Sequence, residues 1–425
     1  SSDVCSSDLA GYDIDVSGAL AASTIVSAPT SRITLNAPDD MTAGGTRAAY
    51  TLARYDQYDN LSTQGSEIFN LATASTGTNA FFYNDATASE AGNIITSITI
   101  PQGSSSGNFW YDDTKMGAWT ISAVKSDEPG VTISDAINVK HGEPDHLKFA
   151  TDITTADAKQ ASVQFNLPQI IAVDQYDNIL TNDYGATAYS GSKAITYALS
   201  GESHAPDGNG TDTFYSDGLL SGVVYFTNGL STSELSAKLY RAQDTTISPV
   251  DTYLSGENTP SNMVTVHPDT AEKLYFKQQP SSTAIVNAAF AQQPVVAIRD
   301  TYGNQTSDTF AIKLYDSIRS ELPYADAPGV LSSSHEDNTM EAVAGEAAFS
   351  AVKYDAAGSI YLYAEALGAG SSLNPAFLNA VSLATAATTV VEAATTPTAN
   401  FNLMPTNDTL AERFAVLKFK VRDAG

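Results

Sequence analysis

Apolar and polar positions alternate with a period of two along much of this chain. Residues 117–123 read Gly-Ala-Trp-Thr-Ile-Ser-Ala and residues 358–364 read Gly-Ser-Ile-Tyr-Leu-Tyr-Ala. That period places every second side chain on one face and predicts half-buried strands. Clusters of Gly, Ser, Asn and Asp separate such runs at short intervals, as expected of seven-stranded β-sandwiches. A doubly wound α/β fold would need amphipathic helical windows of about ten residues or more between strands, and none is found.

The alternation is organised into a repeat. Three motifs recur: Tyr-Asp-Gln-Tyr-Asp-Asn around Asp56, Val-Asp-Gln-Tyr-Asp-Asn around Asp174, and Arg-Asp-Thr-Tyr-Gly-Asn around Asp300. The aspartates stand 118 and 126 residues apart. Upstream of each lies a short alternating start, at Ile33-Thr34-Leu35, Leu147-Lys148-Phe149 and Leu274-Tyr275-Phe276. Downstream each has a strand start marked by Phe109, Phe226 or Phe349, between 49 and 53 residues after the aspartate. In two copies a proline, Pro168 or Pro294, precedes the aspartate by six residues. Proline cannot donate to a sheet ladder, so it marks a strand's beginning.

The motif itself predicts a turn ending that strand. Asp and Asn side chains accept from main-chain amides two residues on, and Asn, Asp and Gly tolerate positive φ. Tyrosine can lay its ring on the sandwich edge and keep its hydroxyl wet. Asp56, Tyr58 and Asn60, Asp174, Tyr176 and Asn178, and Asp300, Tyr302 and Asn304 are therefore expected to be structural turn residues.

Leu-x-Phe, then Pro-x-Val-x-(Ile/Val)-x-Asp-x-Tyr-Gly-Asn, then Gly-x-Ala-x-Phe and Ala-Gly-x-x-x-Leu, resembles bacterial immunoglobulin-like repeats of invasin- and intimin-related adhesins. The likeness spans residues of about 30–385 and is fullest in the third copy. The first copy lacks the proline, and the second carries an insertion near 200–218. The resemblance implies an all-β fold, tandem immunoglobulin-like β-sandwiches in an elongated array, extracellular or bacterial cell-surface display, and no catalysis.

On this reading residues 30–141, 142–268 and 269–385 form three repeats. Residues 11–29 are a remnant of a preceding repeat, 386–400 a Thr/Ala-rich linker, and 401–425 the start of a further β domain. Residues 1–10 are set aside as disordered or non-native, because Ser-Ser-Asp-Val-Cys-Ser-Ser-Asp-Leu resembles translated sequencing adapter. The junctions 139–149 and 265–276 are short, predicting semi-rigid coupling between neighbouring repeats. Their histidines, His141 and His267, are expected to be solvated.

Composition narrows the function classes. Of 425 residues 42% are hydrophobic, sufficient for ordinary cores, and 48 acidic residues against 21 basic ones give a formal net charge of −27. Such a field repels phosphate backbones, so no nucleic-acid partner is expected. No stretch approaches the roughly 20 apolar residues of a spanning helix, so no membrane insertion is expected of this segment. With Cys5 the single cysteine, the chain can form neither an internal disulfide nor a thiolate metal cluster.

Motifs for chemistry are sparse. Gly103-Ser104-Ser105-Ser106-Gly107 matches the Gly-x-Ser-x-Gly elbow but lacks its strand–turn–helix setting. The five histidines are scattered, and no catalytic residue is assigned. No cofactor is expected other than calcium, for which Asp207, Asn209 and Asp212 place oxygens along a Gly-rich loop; Asp145 and Asp269 are junctional candidates. The loop departs from an EF-hand, with no glycine at its sixth position and no glutamate at its twelfth.

The expected function is a non-catalytic stalk or spacer of an adhesin-like protein. Its partners would be the neighbouring repeats, with a host or cell-surface glycan or protein as a further one. The alternatives are a carbohydrate- or protein-binding module region of a large extracellular hydrolase, with Phe214 and Tyr215 as suspects, and a surface-layer subunit.

Overall fold

The computed structural model describes residues 25–87, 91–155, 159–321, 323–367, 382 and 384–393. The expectations for residues 1–24, including most of the 11–29 remnant, and for 401–425 lie outside the described residues. Among the described residues the fold is all-β, with helical geometry confined to three short 3₁₀ turns. They form two compact units. The first holds the described residues up to Lys273 together with Ile298–Asp308, and the second holds the rest.

The first unit contains two separate hydrophobic cores. Around the first core, strands Arg32–Asn36, Ala48–Tyr55, Ser106–Asp112, Phe81–Tyr83 and Ile94–Ile95 form one sheet in that order. Asp40–Thr42, Thr132–Lys140, Gly117–Lys125, Glu67–Thr73 and Ser97–Ile100 form the other. The alternation seen in the sequence is realised directly: in Ala48–Tyr55, residues Ala48, Tyr50, Leu52 and Arg54 are buried and their neighbours are not. Tyr50 stacks on Phe109 with ring centroids 5.0 Å apart. Each large apolar side chain so buried contributes roughly 1.5–3 kcal/mol. There are two five-stranded sheets rather than the seven strands expected, because short runs such as Phe81–Tyr83 and Ile94–Ile95 extend an edge.

The second core is enclosed by His146–Phe149, Ile170–Val173, Leu230–Ser231, Val223–Thr227 and Gly191–Ala194 on one side. Shorter pieces, including Val264–His267 and Leu235–Lys238, complete it. Leu147, Ile170, Ala172, Phe226 and Ile247 are fully buried or nearly so. Ile170–Val173 is buried at all four positions, which is why its sequence is a continuous apolar run instead of an alternation.

In the second unit a five-stranded sheet runs Thr283–Ile285, Thr388–Val391, Gly358–Leu367, Ala311–Ser317 and Thr339–Glu341. This corrects the linker expected over 386–400. Thr388–Val391 pairs antiparallel with the strand starting at Gly358 and parallel with Thr283–Ile285. Its Thr-Thr-Val-Val sequence is wholly β-branched, a feature that Thr/Ala-rich composition masks. The same parallel closure recurs twice more. Asn138–Lys140 lies against Asp40–Thr42, and Val266–His267 against Lys159–Gln160.

Candidate functional site

The three Asp-x-Tyr-x-Asn motifs are superposable in their chemistry. Asp174 is fully buried, and its Oδ1 accepts from Tyr176 N at 2.9 Å and Asn178 N at 3.0 Å. Its Oδ2 accepts from Asn178 Nδ2 at 2.9 Å and from Gly142 N at 2.7 Å. Asp300, also fully buried, repeats this with Tyr302 N and Asn304 N on Oδ1. Asn304 Nδ2 at 2.8 Å and Asp269 N at 2.9 Å complete it on Oδ2. Asp56 takes Tyr58 N and Asn60 N on Oδ1 and Ala28 N on Oδ2. Each carboxylate therefore closes its own turn and ties down the chain segment that leads into its sandwich. Main-chain bonds from Asp56, Asp174 and Asp300 N to Asn60, Asn178 and Asn304 O close the same loops. Asp59, Asp177 and Gly303 supply the positive φ (64°, 67° and 85°) on which the turn depends.

For Asp56, burial alone would raise the carboxyl pKa. The amides of Ala28, Tyr58 and Asn60, with the Asn60 side chain, outweigh it and hold the group below its ordinary value.

The asparagine does more than close the turn. Asn178 Nδ2 donates to Thr114 O at 2.8 Å, and Met116 N donates to Asn178 Oδ1 at 2.8 Å. Asn304 Nδ2 donates to Tyr240 O at 2.9 Å, and Ala242 N donates to Asn304 Oδ1 at 2.8 Å. In both cases one carboxamide grips a carbonyl and an amide two residues apart, on the corner before the next strand of the preceding sandwich. The tyrosine covers the same contact. Tyr176 packs on the first core, where a Cβ on Gly44 would lie 2.0 Å from its hydroxyl. Tyr302 packs on the second core and meets Tyr240 edge-on at 5.0 Å.

Junction residues reinforce both clips. His141, expected in solvent, is instead buried, with Nδ1 2.7 Å from Gly142 O and Nε2 2.9 Å from Thr181 O. His267 is exposed. Lys273 Nζ donates to Asp207 Oδ2 at 2.6 Å and to Thr301 O at 2.7 Å, joining the second-repeat insertion to the Asp300 turn.

That insertion is where calcium was expected. Asp207 Oδ1 accepts from Asn209 N, and its Oδ2 from Asn209 Nδ2 and Lys273. Burial pushes the Asp207 carboxyl up, but Lys273 and Asn209 together bring it below the ordinary value. Asp212 turns away to accept from Tyr240 N at 2.8 Å. Burial pushes its pKa up to about 6, against the pull of that amide and of His204. Asp145 lies on His146, and Asp269 Oδ1 accepts from Gln160 Nε2. Among the described residues no group of three or more His, Cys, Asp or Glu side chains converges as a metal site would require.

The Ser-rich loop at 103–107 has a structural use. Arg54, wholly buried, donates to the carbonyls of Ser104, Gln64, Gly65 and Pro101 and pairs with Glu67 at 3.1 Å. Phe214 is half-buried and stacked on Tyr197 at 4.2 Å, and Tyr215 is half-buried too. Tyr184, Tyr225 and Tyr253 are exposed aromatics of the second sandwich, and Tyr253 is the most accessible of them at 91%. It stands at a cleft of about 530 Å³ lined also by Glu143, Tyr189, Lys193 and Asp251.

Sequence reasoning missed three features. The Thr114–Met116 and Tyr240–Ala242 corners act through main-chain atoms, so no side chain announces them. Arg54 occupies an inward position of an alternating strand, and the break in apolar pattern was its only signal. The doubled role of the asparagine has one signal: it recurs in all three motifs, although aspartate alone would cap the turn.

No protein-family model matches the chain, and no curated protein matches its sequence. Solved structures similar to it include the Escherichia coli adhesin FdeC, at 12% identity and a TM-score of 0.31, covering 86% of this chain and 100% of that one. Invasin, a bacterial integrin-binding protein, is 9% identical with a TM-score of 0.27 over 78% of this chain and 56% of that one. The Dpr2 Ig1-Ig2 complex with DIP-Theta gives 10%, 0.28, 85% and 100%. The functional reading therefore rests on the chain's own residues.

Proposed function

We propose that this chain is a non-catalytic spacer in a bacterial cell-surface or secreted adhesin-like protein, built from three immunoglobulin-like sandwiches joined in tandem. The observation that carries the reading is the repeated clip, in which Asn178 and Asn304 hold equivalent main-chain corners by equivalent pairs of hydrogen bonds. A spacer needs its modules coupled in one orientation. Two half-buried hydrogen bonds per clip, each worth about 0.5–1.5 kcal/mol net, hold the neighbouring segments together at modest energy. The strongly acidic surface keeps such a segment soluble and away from anionic partners. Among the described residues no helix is long and apolar enough to cross a membrane.

One observation favours a second reading, a glycan-binding module: the cleft beside exposed Tyr253, with acidic and basic groups at its wall. Displaying the chain on a bacterial surface between an anchor and a reporter ligand-binding tip separates the two. A spacer leaves binding to the tip, and Tyr253→Ala changes nothing. Retention of cells on glycan-coated beads by the tipless chain, abolished by Tyr253→Ala, would overturn the spacer reading.

A further inference from the structure

The first Asp-x-Tyr-x-Asn turn carries the whole clip but grips nothing among the described residues. Asn60 is exposed and its carboxamide reaches only Asp56, at 3.3 and 3.4 Å, whereas Asn178 and Asn304 are 9% and 3% accessible. Tyr58 is 71% accessible, whereas Tyr176 and Tyr302 are half-buried against a neighbouring core. The turn is otherwise the same, down to the buried aspartate and the positive φ at its fourth residue.

A counterpart corner lies exposed among the described residues. The corner before the strand Gly358–Leu367 aligns with Thr114-Lys115-Met116-Gly117 as Asp355-Ala356-Ala357-Gly358. Thr114, Met116, Tyr240 and Ala242 are half-buried where an asparagine holds them; Asp355, Ala357 and Gly358 are exposed.

We infer that the Tyr58–Asn60 face is a docking surface for another immunoglobulin-like sandwich, which it takes by the corner before a strand. Asn60 Nδ2 donates to a main-chain carbonyl there, and Asn60 Oδ1 accepts from the amide two residues on. The occupant is specified by the two engaged copies: an exposed corner that presents a main-chain carbonyl and an amide two residues on. The inference rests on the coupling role assigned above to Asn178 and Asn304.

With two hydrogen bonds and one ring, docking between separate molecules is weak. Joining the partners raises the effective concentration to about the millimolar range. The test is therefore a tandem duplication of the full chain, in which the exposed Asp355–Ala357 corner of the first half is offered to Tyr58 and Asn60 of the second. Tyr58 acetylation by N-acetylimidazole is followed by mass spectrometry, beside the single chain. Docking predicts that half of the Tyr58 side chains react several-fold more slowly, and that Asn60→Ala in the second half alone restores full reactivity. The same substitution in the first half leaves the protection in place and controls for folding. Uniform Tyr58 reactivity, or protection indifferent to Asn60→Ala, would overturn the inference. If Asn178→Ala uncouples the first two sandwiches while Tyr58 stays reactive, only this inference fails. If Asn178→Ala changes nothing, the coupling reading fails with it.

Discussion

Asn178 and Met116, 62 residues apart in sequence, meet through a 2.8 Å bond from the Met116 amide to the Asn178 side-chain oxygen. The same carboxamide is held from behind by Asp174. One residue is thus shared between the fold of its own sandwich and the grip on the preceding one. Asn178→Ala is expected to lower the stability of the first unit by about 2 kcal/mol, since it removes the partner of a half-buried carbonyl and amide. Hydrogen exchange at Met116 should accelerate well before exchange in the first core. Unchanged Met116 exchange would show that the contact does not couple the sandwiches.

Gly44 has φ +61° and lies under the Tyr176 hydroxyl. Gly44→Ala displaces the ring and strains the backbone, while Phe69, Leu52 and Ile121 keep the first core intact. Tyr176 should gain fluorescence quenching by acrylamide. Tyr176→Ala should reproduce the loss of coupling without the backbone strain.

Arg54 is a buried cation with one carboxylate and four carbonyls around it. Arg54→Ala should cost about 3–5 kcal/mol, the scale of breaking a buried pair. Arg54→Lys should recover only part, because an ammonium cannot span the same fork of carbonyls. Urea melts of the three proteins compare them directly, and a near-neutral Arg54→Ala would refute the role given to the 103–107 loop.

Two carboxylates pull the pH dependence in opposite directions. Asp212, raised to about 6, is held as a carboxylate at neutral pH at some cost. Its folded pKa exceeds its unfolded one, so stability rises as pH falls from about 7 through 6 towards about 4. Asp56 is lowered. Its contribution is present above the ordinary carboxylate range and is lost as pH falls through and below it. Thermal melts should accordingly show Asp212→Asn flattening the limb between pH 4 and 7, and Asp56→Asn flattening the acid limb. The opposite slopes would refute the assigned environments.

Much of the fold was legible in the chain because period-two alternation and turn chemistry are local. Gly117–Lys125 and Gly358–Leu367 lie where their patterns place them, and Pro168 and Pro294 stand just ahead of Ile170 and Val295. The reading failed where composition overrode pattern, as at Thr388–Val391. It also failed where a partner was distant or main-chain. His141 faces Thr181, 40 residues on, and nothing in the sequence near Thr114 marks its carbonyl as a receptor for Asn178. Asp207 was expected as a calcium ligand for its oxygen-rich loop, and in the structure its carboxylate accepts from Lys273, 66 residues away.

Pulling the single chain by its ends is the most direct test of tandem, coupled sandwiches. Three separate releases are predicted, each of roughly 400 Å less the folded length, from about 115 residues at about 3.5 Å per extended residue. Asn178→Ala should lower the force of the first release without changing any length. One release spanning all three repeats, or three whose forces ignore Asn178→Ala, would contradict the account.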